Sequence, residues 1–189
     1  RTLRPQQKLR LAMYSEELKK LARECGFDNV CALNVSALEF LPQVRDMCAA
    51  DRCHSYNKCW TCPPACGDLE EIERRCRDYG QGILLQTIGK LEDEFDAWGM
   101  AETEKRHQHS FYEFVGDALK ICPAALPMGV GACRLCEKCT WPDSPCRYPD
   151  LAFPSMEACG LLVSRVCEMS GMKYYYGRNT ITFTSCILF

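Results

Sequence analysis

Four cysteines within fourteen residues dominate what this chain can fold around. Cys133, Cys136, Cys139 and Cys146 are spaced C-x2-C-x2-C-x6-C in a stretch that runs on to Pro149. Two consecutive two-residue gaps bring three thiolates onto one small object with little backbone strain. The fourth arrives after a short segment stiffened by Pro142 and Pro145. A tight triplet followed by a more distant ligand near a proline is the habit of iron–sulfur ligation. The last gap is x6 rather than the common bacterial x3, and the proline comes three residues after the last cysteine. A four-iron (4Fe-4S) cluster is the leading expectation for this loop.

A second bunch lies upstream: Cys48, Cys53, Cys59, Cys62 and Cys66, five thiols where a cluster needs four. The chain holds 16 cysteines in all, and the other seven are scattered. Disulfide frameworks spread their cysteines to close loops, whereas metal sites gather them at gaps of two to four. The bunching therefore points to metal and to a reducing cytoplasm, and so many thiols point to an anaerobe or a low-oxygen niche. Zinc is the alternative occupant, since two four-thiolate zinc sites would need similar residues. Zinc sites favour paired C-x2-C knuckles with a longer gap between. The run of three at 133, 136 and 139 suits iron–sulfur better, while the spacing of the first bunch is even between the two.

Composition bounds the rest. The 189 residues, 47% hydrophobic and 25% charged, are enough for a real core in one domain. A net charge of −2 gives no reason to expect nucleic acid or an anionic membrane as partner. No apolar run approaches a membrane span, and the opening Arg1 to Arg10 lacks the apolar stretch of a secretory signal.

Periodicity predicts a helix over 9–25 stopped by Gly26, a buried strand Val30–Val35 and a short helix Pro42–Cys48. It then predicts a loop over 48–67, a helix Leu69–Tyr79 capped by Asp68, and a central strand Ile83–Ile88. A long helix follows over Met100–Ile121, then a short strand in Ala124–Gly131 and the four-cysteine loop. A helix starting at Pro154-Ser155 and a closing strand or hairpin built from Tyr174–Tyr176 and Thr180–Leu188 complete the chain. This order suits a single-domain layered α/β sandwich with a mixed sheet and both cysteine loops at its end or edge. Cys25, Cys31, Cys159 and Cys167 fall on apolar faces and read as core. His107 and His109, two apart on a helix, face different directions and read as solvated surface side chains. Tyr56 and Trp60 beside the first bunch, and Trp141 and Tyr148 beside the second, are candidates to shield clusters from water.

Trp60-x-Cys62-Pro63-Pro64 preceded by Cys48 and Cys53, then Cys133-x2-Cys136-x2-Cys139…Cys146-Arg147-x-Pro149, then Pro154-Ser155-Met156-Glu157-Ala158, form a specific combination. Together they resemble the DUF2284 family of prokaryotic predicted metal-binding proteins, over nearly the whole chain from about Cys25. The resemblance implies metal binding and supplies no reaction. It implies a first site marked by Cys48, Cys53 and Cys62, with Cys59 and Cys66 as additions of this chain. It also implies that the position of His54 is often glycine.

Three functions remain open at this point. An electron-transfer module with two four-iron clusters and an unidentified redox partner needs no further catalytic residue. Accordingly no Gly-rich nucleotide loop, H-E-x-x-H or G-x-S-x-G occurs, and Gly129-Val130-Gly131 is too short for a dinucleotide site. An enzyme with an open iron, acting in desulfuration or sulfur transfer, would draw on Glu157, Arg147 or His54. A zinc-stabilised interaction module is the third. In each case the residues at stake are the nine bunched cysteines, with Cys59 or Cys66 either closing the first site or leaving one iron open.

Overall fold

The computed structural model describes residues 5–189, with side chains from Arg10 onward. Its frame is a four-stranded sheet in the order β1-β2-β4-β3: β1 Asn29–Leu33, β2 Gly82–Lys90, β3 Leu126–Met128 and β4 Thr180–Leu188. Strand β2 reads Gly-Ile-Leu-Leu-Gln-Thr-Ile-Gly-Lys, and its first five side chains after Gly82 are buried whichever way they point. That is the pattern of a strand covered on both faces.

The two faces carry separate cores. Ile83, Leu85 and Ile187 meet α1 (Pro5–Glu24) and α4 (Ala97–Ile121) through Leu18, Ala22, Phe111, Phe114 and Ala118. Leu84, Cys186 and Leu188 meet the other layer, where α3 (Leu69–Cys76), α5 (Val163–Met169) and the segment between β3 and α5 supply Cys76, Met156, Cys159, Leu161 and Val166. Each fully buried Leu or Ile is worth on the order of 1.5–3 kcal/mol, so these two clusters hold the three layers together. Cys25, Cys31, Cys159 and Cys167 pack in or against these cores, as do Cys76, Cys122 and Cys186.

The layered α/β arrangement is the expected one, but the sheet is antiparallel throughout rather than mixed. Strands β2 and β3, joined across α4, do run the same way. The last strand, β4, inserts between them and pairs antiparallel with both. No side-by-side parallel pair therefore forms among the named strands. The one parallel contact described is an isolated bridge between Gly129 and Ser155.

Helix α1 ends as its glycine predicts. Gly26 takes φ +88°, Phe27 N–H reaches Ala22 O at 3.4 Å and Gly26 N–H reaches Arg23 O at 3.1 Å, which is a Schellman closure. The expected helix from Ser155 is a set of turns instead. Ser155 Oγ accepts from Ala158 N–H at 3.1 Å, but Gly160 takes φ +81° and the chain turns back, with Leu41 N–H donating to Gly160 O at 2.8 Å. Helix α5 starts only at Val163. Likewise Tyr174–Tyr176 is not a strand. The Tyr176 hydroxyl bonds Gln86 Oε1 and Asn29 Nδ2, both at 2.8 Å, closing the sheet's end from the side.

His107 corrects a second expectation. It is fully buried under α4, with its ring nitrogens 2.9 Å from Thr87 Oγ1 and 3.0 Å from Ser185 Oγ. Burial, helped by the Arg106 charge, pushes its pKa down to about 3, so the ring is a neutral core group. His109 is exposed, as expected.

Candidate metal centre

The sheet places both cysteine loops at one end of the molecule. Helix α2 (Pro42–Ala49) brings Cys48 to that end. Its approach is fixed by Arg77, whose guanidinium donates to Val35 O at 3.0 Å and Leu38 O at 2.7 Å and lies over the Phe40 ring. From Cys48 the chain runs through successive turns: Asp51 N to Cys48 O, His54 N to Asp51 O, Cys62 N to Cys59 O and Cys66 N to Cys62 O, all 3.0–3.2 Å. Asp51, His54 and Asn57 hold positive φ of 51°, 56° and 54° to make these turns. The Asp51 carboxylate ties them, accepting from Tyr56 N–H at 2.8 Å and Lys58 Nζ at 3.1 Å, and those bonds lower its pKa. The four-cysteine loop leaves directly from β3.

The two loops are packed on each other. Thr61 is buried between them and its hydroxyl accepts from Cys133 N–H at 3.3 Å. Trp60 Nε1 donates to Thr140 Oγ1 and Ser144 O, and Trp141 Nε1 returns to Asn57 Oδ1 at 3.0 Å. Sequence reasoning missed Thr61, although its place inside Cys59-Trp60-Thr61-Cys62 was the available signal.

Two cavities open beside the first loop, one against the four-cysteine loop and one against Gly131–Ala132 and the Ser155–Ala158 turns. The smaller, about 170 Å³, is lined by Cys133, Cys136, Cys139 and Cys146, and also by Cys59. The other, about 240 Å³, is lined by Cys48, Cys53 and Cys62 together with Glu157. The Cys59–Cys62 knuckle therefore presents one thiol to each cavity. The two thiols titrate together: hydrogen bonding from Cys62 and Thr61 lowers the Cys59 pKa, while the same partnership and burial raise that of Cys62.

Cys66 lines neither cavity. Its thiol lies 3.7 Å from Arg45 Nη1 and 3.6 Å from Ala158 O, and Arg45 is itself held by Ala158 O at 2.8 Å and Gly67 O at 2.9 Å. Arg45 had no signal in the sequence beyond standing one turn before Cys48. The aromatics are redistributed too: Tyr56 lines the three-thiol cavity, but Trp60 and Tyr148 line the five-thiol one. Trp141 lines neither cavity and meets Trp60 edge to face.

The helper candidates separate cleanly. Glu157 lines the three-thiol cavity and is exposed there, and desolvation by the protein packed around it raises its carboxyl pKa. His54 is exposed and lines neither cavity. Arg147 donates to Lys138 O at 2.8 Å, a loop-carbonyl brace. Burial likewise raises the thiol pKa of Cys48, Cys66 and Cys133, so a metal entering here must displace protons.

The donor chemistry fits a metal centre held by thiolates. All sixteen cysteines are free thiols. Among the described residues no three His, Cys, Asp or Glu side chains converge on a point that one metal ion would occupy. The bunched thiols line two cavities, and thiolates are donors for zinc and for iron–sulfur clusters alike. Tyr148 N–H already donates to Cys146 Sγ at 3.4 Å, the kind of bond that tunes cluster potential. Among the described residues no helix is long and apolar enough to cross a membrane.

No curated protein and no solved structure matches this chain. A family model does, over residues 31–189, and the chain belongs to that family, described as predicted metal-binding protein (DUF2284).

Proposed function

We propose that each cavity holds a four-iron cluster and that the protein relays single electrons between the two centres and an external redox partner. The observation that carries this reading is the Cys59–Cys62 knuckle, one thiol in each cavity, which sets the two sites within a few bonds of each other. When bound, such clusters supply reversible one-electron chemistry. The chain's part is to hold them, exclude water with Tyr56, Trp60 and Tyr148, and set their potentials by hydrogen bonds to sulfur.

In this assignment Cys133, Cys136, Cys139 and Cys146 ligate the second centre, with Cys59 at its edge. Cys48, Cys53 and Cys62 ligate the first. The test is anaerobic purification with iron and sulfide analysis. Roughly eight irons per chain with broad absorption near about 400 nm is expected. Reduced protein should show magnetic coupling between two centres. Colourless protein holding stoichiometric zinc would sink this reading in favour of the zinc-stabilised module.

A second reading has its own observation. The first cavity presents three thiols and the Glu157 carboxyl, while Cys66 is turned away onto Arg45. Three thiolates would leave one iron open as a Lewis acid, with Glu157 poised to hold or hand over a proton at its carboxylate oxygen. Desulfuration or sulfur transfer fits that arrangement. A change in the iron-centred spectrum on adding sulfide, abolished in Glu157→Gln or not, separates an open iron from a closed one.

A further inference from the structure

We propose that the cavity between α4 and the four-cysteine loop binds a small flat-ringed organic anion. The cavity measures about 320 Å³, in the range of small-molecule sites. Its floor is aromatic. Phe111 is buried and Tyr112 and Phe153 are half-buried, with ring centroids 5.8–6.4 Å apart. Gly129 contributes bare backbone there, and a Cβ on it would stand 3.3 Å from the Phe111 ring. Such a floor favours the face of a planar ring over an aliphatic chain.

The rim carries two cations, Lys105 on α4 and Arg134 facing it from the loop, with His109 one turn along from Lys105. The existing ion pairs of the two permanent cations are long and exposed: Lys105 to Glu102 and Arg134 to Glu104 are each 4.0 Å, with the cations 80% and 71% exposed. Pairs of that kind contribute little, so both charges are available to a ligand's anionic group. Glu104, the carboxylate nearest the rim, is engaged by Gln108 at 3.2 Å.

One wall is Cys133, which also lines the five-thiol cavity. The binding itself is independent of the relay reading. The ligand's role as electron partner rests on it: one electron leaves the reduced centre and enters the ring, and no bond is made or broken.

Flavin mononucleotide and riboflavin are suitable probes, since they share a ring and differ in a phosphate. The full chain, purified anaerobically with its metal, is titrated with each while flavin fluorescence is followed, and iron is measured on the same samples. The expected result is saturable binding of flavin mononucleotide, at least about tenfold tighter than riboflavin, weakened about fivefold to tenfold by Lys105→Ala and again by Arg134→Ala. Tyr112→Leu should weaken both probes about equally. The proposal is overturned by the absence of saturable binding, by equal affinity for the two flavins, or by Lys105→Ala and Arg134→Ala both leaving affinity unchanged. Protein that lacks iron but binds flavin mononucleotide refutes the relay alone. Protein with a full complement of iron that fails to bind refutes the site alone.

Discussion

Trp60 and Trp141, one from each cysteine loop, meet edge to face with ring centroids 4.7 Å apart and an interplanar angle of 82°. Each indole N–H reaches across to the other loop as well. The contact makes the two cysteine loops a single body. Edge-to-face pairs are worth about 0.5–1.5 kcal/mol beyond their buried area. Trp141→Ala should therefore speed iron loss from both centres, not only from the loop that carries it. Iron release to a chelator, followed for wild type, Trp60→Phe, Trp141→Ala and the double variant, checks this. Loss confined to one centre would show that the loops are independent.

Cys59 and Cys66 separate in the same way. Both are extra thiols of the first bunch by sequence, yet Cys59 faces the second cavity and Cys66 faces Arg45. Cys66→Ser should leave iron content unchanged. Cys62→Ser should remove the first centre, roughly four irons per chain. Cys59→Ser should disturb the spectrum of the second centre. If Cys66→Ser instead empties the first site, Cys66 must swing away from Arg45 to close it.

How much of this was legible in the sequence differs by element. Strand β2 and helix α4 announced themselves because β2 is a largely apolar, branched run buried on both faces and α4 carries one long apolar stripe. The Ser155–Leu162 segment did not. Its apolar residues on every side look like a buried helix, but a turn reversed at Gly160 buries Met156, Cys159 and Leu161 equally well. His107 was hidden by its basic neighbours and by His109. Its own spacing gave it away: it stands four residues before Phe111, seven before Phe114 and eleven before Ala118, in register with the buried stripe of α4. The nine bunched cysteines were visible as candidates, but their division between cavities was not. Spacing along a loop does not say which way the two ends of a C-x2-C knuckle point.

His107 makes stability depend on pH in a stated direction. Its folded pKa, about 3, lies below the ordinary 6.5, so the unfolded chain takes up a proton that the folded chain refuses. Its contribution is therefore unfavourable as pH falls below about 6.5 and grows until about pH 3. Between pH 7 and pH 5 this amounts to about 2 kcal/mol of lost stability. Denaturant melts of wild type and His107→Gln across that range check it. The variant should be less stable at pH 7, where Thr87 and Ser185 lose the ring's hydrogen bonds, but its stability should fall less steeply with acid. Parallel slopes would show that some other group carries the pH dependence.

His54 follows Cys53 directly, and its backbone explains why glycine suits that position. At φ +56° a residue with a side chain is held in the left-handed region, which costs about 1–2 kcal/mol for an ordinary L-residue and nothing for glycine. His54 is exposed and lines neither cavity, so the imidazole is not required there. His54→Gly relieves the strain but gives the unfolded chain more freedom, an opposing effect of about 0.4–1 kcal/mol, so net stability should change by less than about 1 kcal/mol. His54→Ala removes the same imidazole and keeps the strain, so it should be less stable than His54→Gly by about 1 kcal/mol, a few degrees in Tm. Both variants should keep full iron. The pair separates backbone from ligand: if glycine and alanine both lose iron from the first centre, the imidazole is a ligand after all. If only alanine loses it, the turn geometry is what holds Cys53 against the cavity.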